Sequence, residues 1–176
     1  MDSTVPIATR SRGGALLRRA LIGRRPRQTF WRALALAAVC FVVFRFALIP
    51  VYVNGQSMLP TYSDRSVNFA NRLVYRLRDP LPGEVVVIEM AGWRAMFLKR
   101  VLAVPGQTVR FAEGELWVDG HRVTEPYVQL TGDWTTALET LEQGEYFVAG
   151  DNRSTPWEHH SMGVVERRRI AGRIVF

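Results

Sequence analysis

The sequence predicts a mainly β fold, in which one N-terminal transmembrane helix precedes a partly open barrel or sandwich of short antiparallel strands. Three observations predict it. An apolar stretch from Ala33 to Ile49 is broken only by Arg45. Beyond Pro50, short runs of β-branched and aromatic residues alternate with Pro-Gly, Glu-Gly and Asp-Gly turn signals. Helical periodicity beyond Pro50 is confined to residues 66–76 and 135–141.

Residues 1–29 read as an Arg-rich cytoplasmic tail without a fold of its own. Residues 1–32 contain eight arginines against one acid, Asp2, and so hold the whole formal surplus of +7. The remainder of the chain is neutral, which argues against a nucleic-acid-binding surface on the folded domain. Residues 30–49 read as the transmembrane anchor, since 20 positions cross a hydrocarbon core of roughly 30 Å as a helix. Arg45 stands near the end of that run, where its side chain can snorkel to the interface. The flanking arginines place the tail in the cytoplasm. Residues 50–176 then become an extracytoplasmic β-rich domain, with 107–145 as an inserted subdomain. Two other readings of the apolar run exist: a cleaved signal peptide, which Phe46-Ala-Leu-Ile-Pro-Val-Tyr52 fits poorly, and a buried helix of a soluble domain. Cys40 is the one cysteine and lies in the apolar run, so no intramolecular disulfide forms.

Within the domain, Glu84–Met90 and Met96–Val104 read as strands, the first after the turn Asp79-Pro-Leu-Pro-Gly83, the second ended by Pro105-Gly106. Thr108–Phe111 and Glu115–Val118 pair around Glu113-Gly114, and Asp119-Gly120 marks the next hairpin. Glu145–Ala149 and Ile170–Phe176 complete the set.

Chemistry is concentrated in two stretches. Gly55-Gln-Ser-Met-Leu-Pro-Thr61 places a serine in a turn, with Gly55 giving backbone freedom beside the hydroxyl and Pro60 stiffening the exit. Lys99 is the single lysine in a chain with 22 arginines, and it stands inside an apolar strand. Desolvation lowers the pKa of a buried lysine, whereas arginine stays charged. A serine hydroxyl needs a base before it can attack a carbonyl, and Lys99 is the preferred one. The histidines are the alternatives: His121 beside a hairpin turn is solvated, while His159 and His160 adjoin Glu158 in a polar loop. Composition leaves a Ser–His–Asp arrangement with His160 and Asp151 open. Two adjacent histidines without spaced partners do not make a metal site, and no cofactor is expected.

These residues resemble type I signal peptidases, membrane-anchored Ser–Lys endopeptidases. Gly55–Thr61 resembles the nucleophile box, Asp64–Gly83 with Glu84-Val-Val-Val the linker and strand, Lys99-Arg-Val-Leu-Ala-Val-Pro-Gly106 the general-base box, and Gly150-Asp-Asn-Arg153 the start of the last box. The resemblance implies cleavage of exported preproteins after Ala-x-Ala-like sites, with Ser57 as nucleophile and Lys99 as general base. It implies an oxyanion contribution from the backbone N–H of Ser57, with Gly55 where some members carry a hydroxyl. It implies shallow apolar substrate pockets at Val51, Val53, Met58, Pro60 and Leu98, and support from Arg100, Asp151, Asn152 and Arg153, the first two as an ion pair. The implied partners are preprotein signal peptides, membrane lipid and the secretion translocon, with Trp93 and Trp134 as candidates for lipid contact.

The last box departs from the pattern. Pro156 stands where the family has the serine that hydrogen-bonds the lysine, Glu158 where it has Asp, and His160 where it has Arg. The departure motivates two alternatives: a catalytically silent membrane-anchored scaffold or docking domain, and a specialised relative with a narrow substrate set. A soluble self-cleaving Ser–Lys regulator is a third, which the apolar run opposes.

Overall fold

The computed structural model describes residues 25–89, 96–161 and 163–175. Most of the arginine-rich tail, Met90 and Trp93 therefore lie outside the described residues. The chain divides into two units, Met1–Val43 and Phe44–Phe176.

The apolar run forms helix α1, Pro26–Phe46, whose residues 27–46 are long and apolar enough to cross a membrane. The helix stops before the end of the expected anchor, 30–49. Leu48 and Ile49 instead begin strand β1, Leu48–Tyr52, opposite Asn71 and Ala70. Pro50 explains the stop, because it disfavours helical backbone in the residue before it and is tolerated only in an outer strand.

The second unit is mainly β. Strands β2 (Val67–Asn71), β3 (Val85–Glu89) and β4 (Met96–Ala103) follow, with one helical turn, α2 (Val74–Leu77), between the first two. Then come β5 (Thr108–Ala112), β6 (Glu115–Val118), β7 (His121–Val123) and β8 (Glu139–Thr140). Strands β9 (Glu145–Ala149), β10 (Val164–Glu166) and β11 (Ile170–Ile174) end the chain. A seven-stranded antiparallel sheet runs β1-β2-β11-β3-β4-β9-β10, and a four-stranded one runs β7-β6-β5-β8. The two hairpins of the small sheet turn on Glu113-Gly114 and Asp119-Gly120, all four residues at positive φ as primed turns require.

Both regions of helical leaning were overridden by pairing. Residues 66–76 became β2, flanked by β1 and β11, and the single turn α2. Residues 135–141 form no helix: Glu139 and Thr140 pair with β5, and the hydroxyls of Thr135 and Thr136 accept the N–H groups of Glu113 and Phe111. Tertiary hydrogen bonds outweigh a weak local preference.

Strand β3 shows how the large sheet is covered on both faces. Val85 and Val87 pack with Val51, Val53, Met58 and Leu98, while Val86 and Ile88 pack with Tyr75, Val101, Tyr146 and Ile170. Burying both faces of β4 in this way leaves its polar members, Lys99 and Arg100, in the interior.

Candidate active site

Lys99 lies opposite Val86 on the central strand and is 1% exposed, among the largest fully buried side chains. Burial pushes its amine down from the usual 10.5 to about 8, with the charge of Asp151 working in the opposite direction.

The serine is placed by the loop that leaves β1. Val53 exchanges backbone hydrogen bonds with the returning chain, its N–H donating to Ser66 O (2.8 Å) and its carbonyl accepting from Arg65 N–H (2.9 Å). Gly55 follows at φ +119°, a conformation that disfavours side chains, and its N–H donates to Asp64 Oδ1 at 2.7 Å. Met58, 1% exposed, plugs the loop into the core beside Val51, Val53 and Leu98. Ser57 is left half-buried between these anchors.

The last box ties this loop down. Asn152 N–H donates to Ser57 O and Asn152 Nδ2 to Gln56 O, both at 3.0 Å. Gly150 lies so close that a Cβ there would sit 2.2 Å from Ser57 O. Asp151, fully buried, accepts from Arg100 Nε (2.8 Å), Arg100 Nη2 (2.6 Å) and Thr61 Oγ1 (2.5 Å). Arg100 also donates to Gly83 O and lies 3.8 Å above the Tyr127 ring. Arg153 donates to Gly150 O and to both oxygens of Glu125, against Phe111 and Trp134.

Two cavities meet at the serine. One, of about 220 Å³, is lined by Ser57, Lys99, Asn152, Thr155, His160 and Ser161 among others. The other, of about 520 Å³, is a groove between Pro50–Gly55 and Met96–Leu98, with Ser57 and Met58 at its end. Its two walls have unused strand edges. Strand β1 is outermost in its sheet, and β4 pairs with β9 only from Arg100 onward. Val51, Val53, Met58 and Leu98 thus reach the groove from the core; Pro60 is exposed and lines neither cavity.

The altered stretch folds as a short 3₁₀ turn, Trp157–His159, after Pro156. Ser154 Oγ is committed to Asn152 Oδ1 at 2.6 Å, whereas Thr155 and Ser161 line the cavity with Lys99. The Ser–His–Asp option loses its geometry, because Arg100 and Thr61 hold Asp151 while His160 Nε2 accepts the Gly150 N–H at 3.0 Å. His121 is exposed on β7. Trp134 is not a lipid-facing residue: it is 2% exposed, packs on Phe111 and Trp157, and donates Nε1–H to Thr155 O. Sequence reasoning missed Thr61, Glu125, Tyr127 and the aromatic setting of His160. Thr61 and His160 lie in motif stretches, and nothing local signals the partners of Glu125 and Tyr127 or the rings around His160.

A hydroxyl and a desolvated amine line one cavity, which adjoins a groove walled by open strand edges. Comparison with known proteins gives the family. The family model for "Signal peptidase, peptidase S26" matches residues 27–176. The chain is 32% identical to a signal peptidase I of Bacillus amyloliquefaciens, over 80% of this chain and 82% of that one. It is 30% identical to a signal peptidase I of Bacillus licheniformis, with the same coverage of 80% and 82%. A signal peptidase I crystal structure from Enterococcus faecalis aligns with a TM-score of 0.45 and 24% identity, over 56% of this chain and 98% of that one. The chain belongs to the signal peptidase family, peptidase S26, whose members are serine endopeptidases.

Proposed function

We propose that this signal peptidase cleaves exported preproteins after Ala-x-Ala-like sites, with Ser57 as nucleophile and Lys99 as general base. The observation that carries the reading is one amine, buried to 1% exposure and pushed down to about 8, lining the same cavity as the serine. The signal peptide lies extended in the groove between residues 50–55 and 96–98, adding a strand to the open edges. Val51, Val53, Met58 and Leu98 offer it apolar walls suited to small side chains.

Neutral Nζ of Lys99 takes the Ser57 Oγ proton as Oγ attacks the scissile carbonyl carbon. The developing oxyanion is met by the Ser57 N–H, a fixed donor of the kind worth about 3–4 kcal/mol. The protonated amine then returns its proton to the leaving peptide nitrogen, giving an acyl ester on Ser57. Water, deprotonated by the same amine, hydrolyses that ester. Arg100, Asp151, Asn152 and Arg153 hold the platform.

Helix α1 is the single membrane anchor, the arginines keep the N-terminus in the cytoplasm, and the β-domain works on the outer face beside lipid and the secretion translocon. The residues ahead of α1 serve as tail, α1 as anchor and the chain from β1 onward as peptidase domain, with 107–145 as an insertion.

The test is preprotein cleavage in detergent as a function of pH. Wild-type kcat/KM rises through pH ~8 as Lys99 loses its proton, and Ser57→Ala and Lys99→Ala are inactive at every pH. A rise centred near pH 6.5, as an unperturbed imidazole gives, or full activity in either variant, rejects the assignment.

A further inference from the structure

His160 has no part in the chemistry above, yet it is seated firmly beside it. Its ring stacks on Trp157 at 5.6 Å and 11°, and meets Trp134 edge-on at 4.6 Å and 63°. Aromatic packing of this kind fixes the plane of an imidazole. The plane is aimed at the backbone: Nε2 accepts the Gly150 N–H at 3.0 Å, which requires that nitrogen to be unprotonated.

Gly150 is itself pressed against the nucleophile, with no room for a Cβ above the Ser57 carbonyl. The same carbonyl accepts the N–H of Asn152, two residues further on. A continuous path of contacts therefore leads from the imidazole, through the Gly150 peptide, to the backbone of the serine. His160 also lines the cavity that Ser57 and Lys99 share.

We propose that His160 is a positioning residue for the peptidase reaction. By accepting the Gly150 N–H from a ring packed against two tryptophans that also contact each other, it sets the height of Gly150 over Ser57. That contact keeps the Ser57 Oγ and N–H aligned for attack and oxyanion binding. The proposal rests on Ser57 and Lys99 acting as nucleophile and base. It concerns alignment in the reacting complex, so it predicts a loss in kcat with little change in KM.

The experiment compares wild type, His160→Phe and His160→Gln in preprotein cleavage, with thermal midpoints measured on the same detergent-solubilised full-length samples. Phe keeps the ring packing and removes the acceptor; Gln keeps an acceptor and is the conservative rescue. His160→Phe is expected to lower kcat roughly tenfold, a modest misalignment by the standard of positioned reactants. Its KM and thermal midpoint stay close to wild type, and His160→Gln recovers kcat to within about twofold. Wild-type kcat in the Phe variant, or equal losses in Phe and Gln, overturns the proposal. If the Phe variant does not fold, His160→Leu against His160→Gln makes the same comparison. Ser57→Ala and Lys99→Ala run alongside: activity in either sinks the dyad itself, whereas their inactivity with an unaffected Phe variant sinks only the role of His160.

Discussion

Strand β4 carries two adjacent cations to two different surroundings. Lys99 enters a cavity where desolvation dominates, and its amine is pushed down to about 8. Arg100, 9% exposed, meets Asp151 with two hydrogen bonds, Gly83 O with a third, and the Tyr127 face at 3.8 Å. Burial works against its charge as well, yet Asp151 more than offsets that and holds the guanidinium above its ordinary value. Neighbours on a strand point to opposite faces, so one register supplies both sites. The difference teaches that a buried cation is made reactive by leaving its charge poorly compensated and made structural by satisfying it.

Exchanging the two chemistries is the severest way to break the contrast. Lys99→Arg keeps the charge and abolishes the neutral state, since guanidinium does not deprotonate in the working range. Loss of general-base catalysis is worth about 10²–10⁴-fold, and kcat/KM for a preprotein should fall by at least that much. A variant within tenfold of wild type would show that Lys99 acts as a fixed charge instead.

Removing the compensation on the other face should strike stability. In Arg100→Ala, Asp151 remains fully buried with only Thr61 to satisfy it. Breaking a buried ion pair by deleting one partner costs about 3–5 kcal/mol. Denaturant unfolding followed by tryptophan fluorescence measures this directly, and a loss below about 1 kcal/mol would mean that water or a rotated side chain replaces the guanidinium.

The sequence made the Lys99 side of this contrast legible because rarity marks it: one lysine among many arginines, in an apolar strand. The turn around Ser57 was legible because Gly55 and Pro60 are local signals, and β3, β4 and the two small hairpins followed from β-branched runs and Asp-Gly or Glu-Gly turns. Arg100 with Asp151 was reachable only through the family resemblance. Tyr127 on Arg100 and Glu125 on Arg153 were not legible, because contacts between residues tens of positions apart leave no local pattern. The boundary at Leu48, the seat of Trp134 and the strand at 139–140 failed for a related reason. Each is decided by pairing with a distant segment rather than by local preference.

The mildest substitution separates stability from activity on the Lys99 side. Below pH 8 the amine is protonated in both folded and unfolded chains, and burying the cation carries its full cost. Between about 8 and the ordinary value of 10.5 the unfolded state binds more protons, so folding stability rises with pH across that window. A gap of this size corresponds to roughly 3 kcal/mol. Lys99→Met, similar in length and uncharged, should therefore be more stable than wild type at pH 7 by roughly 2–3 kcal/mol while inactive. The advantage should shrink as the pH passes from 8 to 10.5. A Met variant less stable than wild type at neutral pH would mean that the amine is solvated in the folded state. The cavity it shares with Ser57 would then be too wet to lower its pKa.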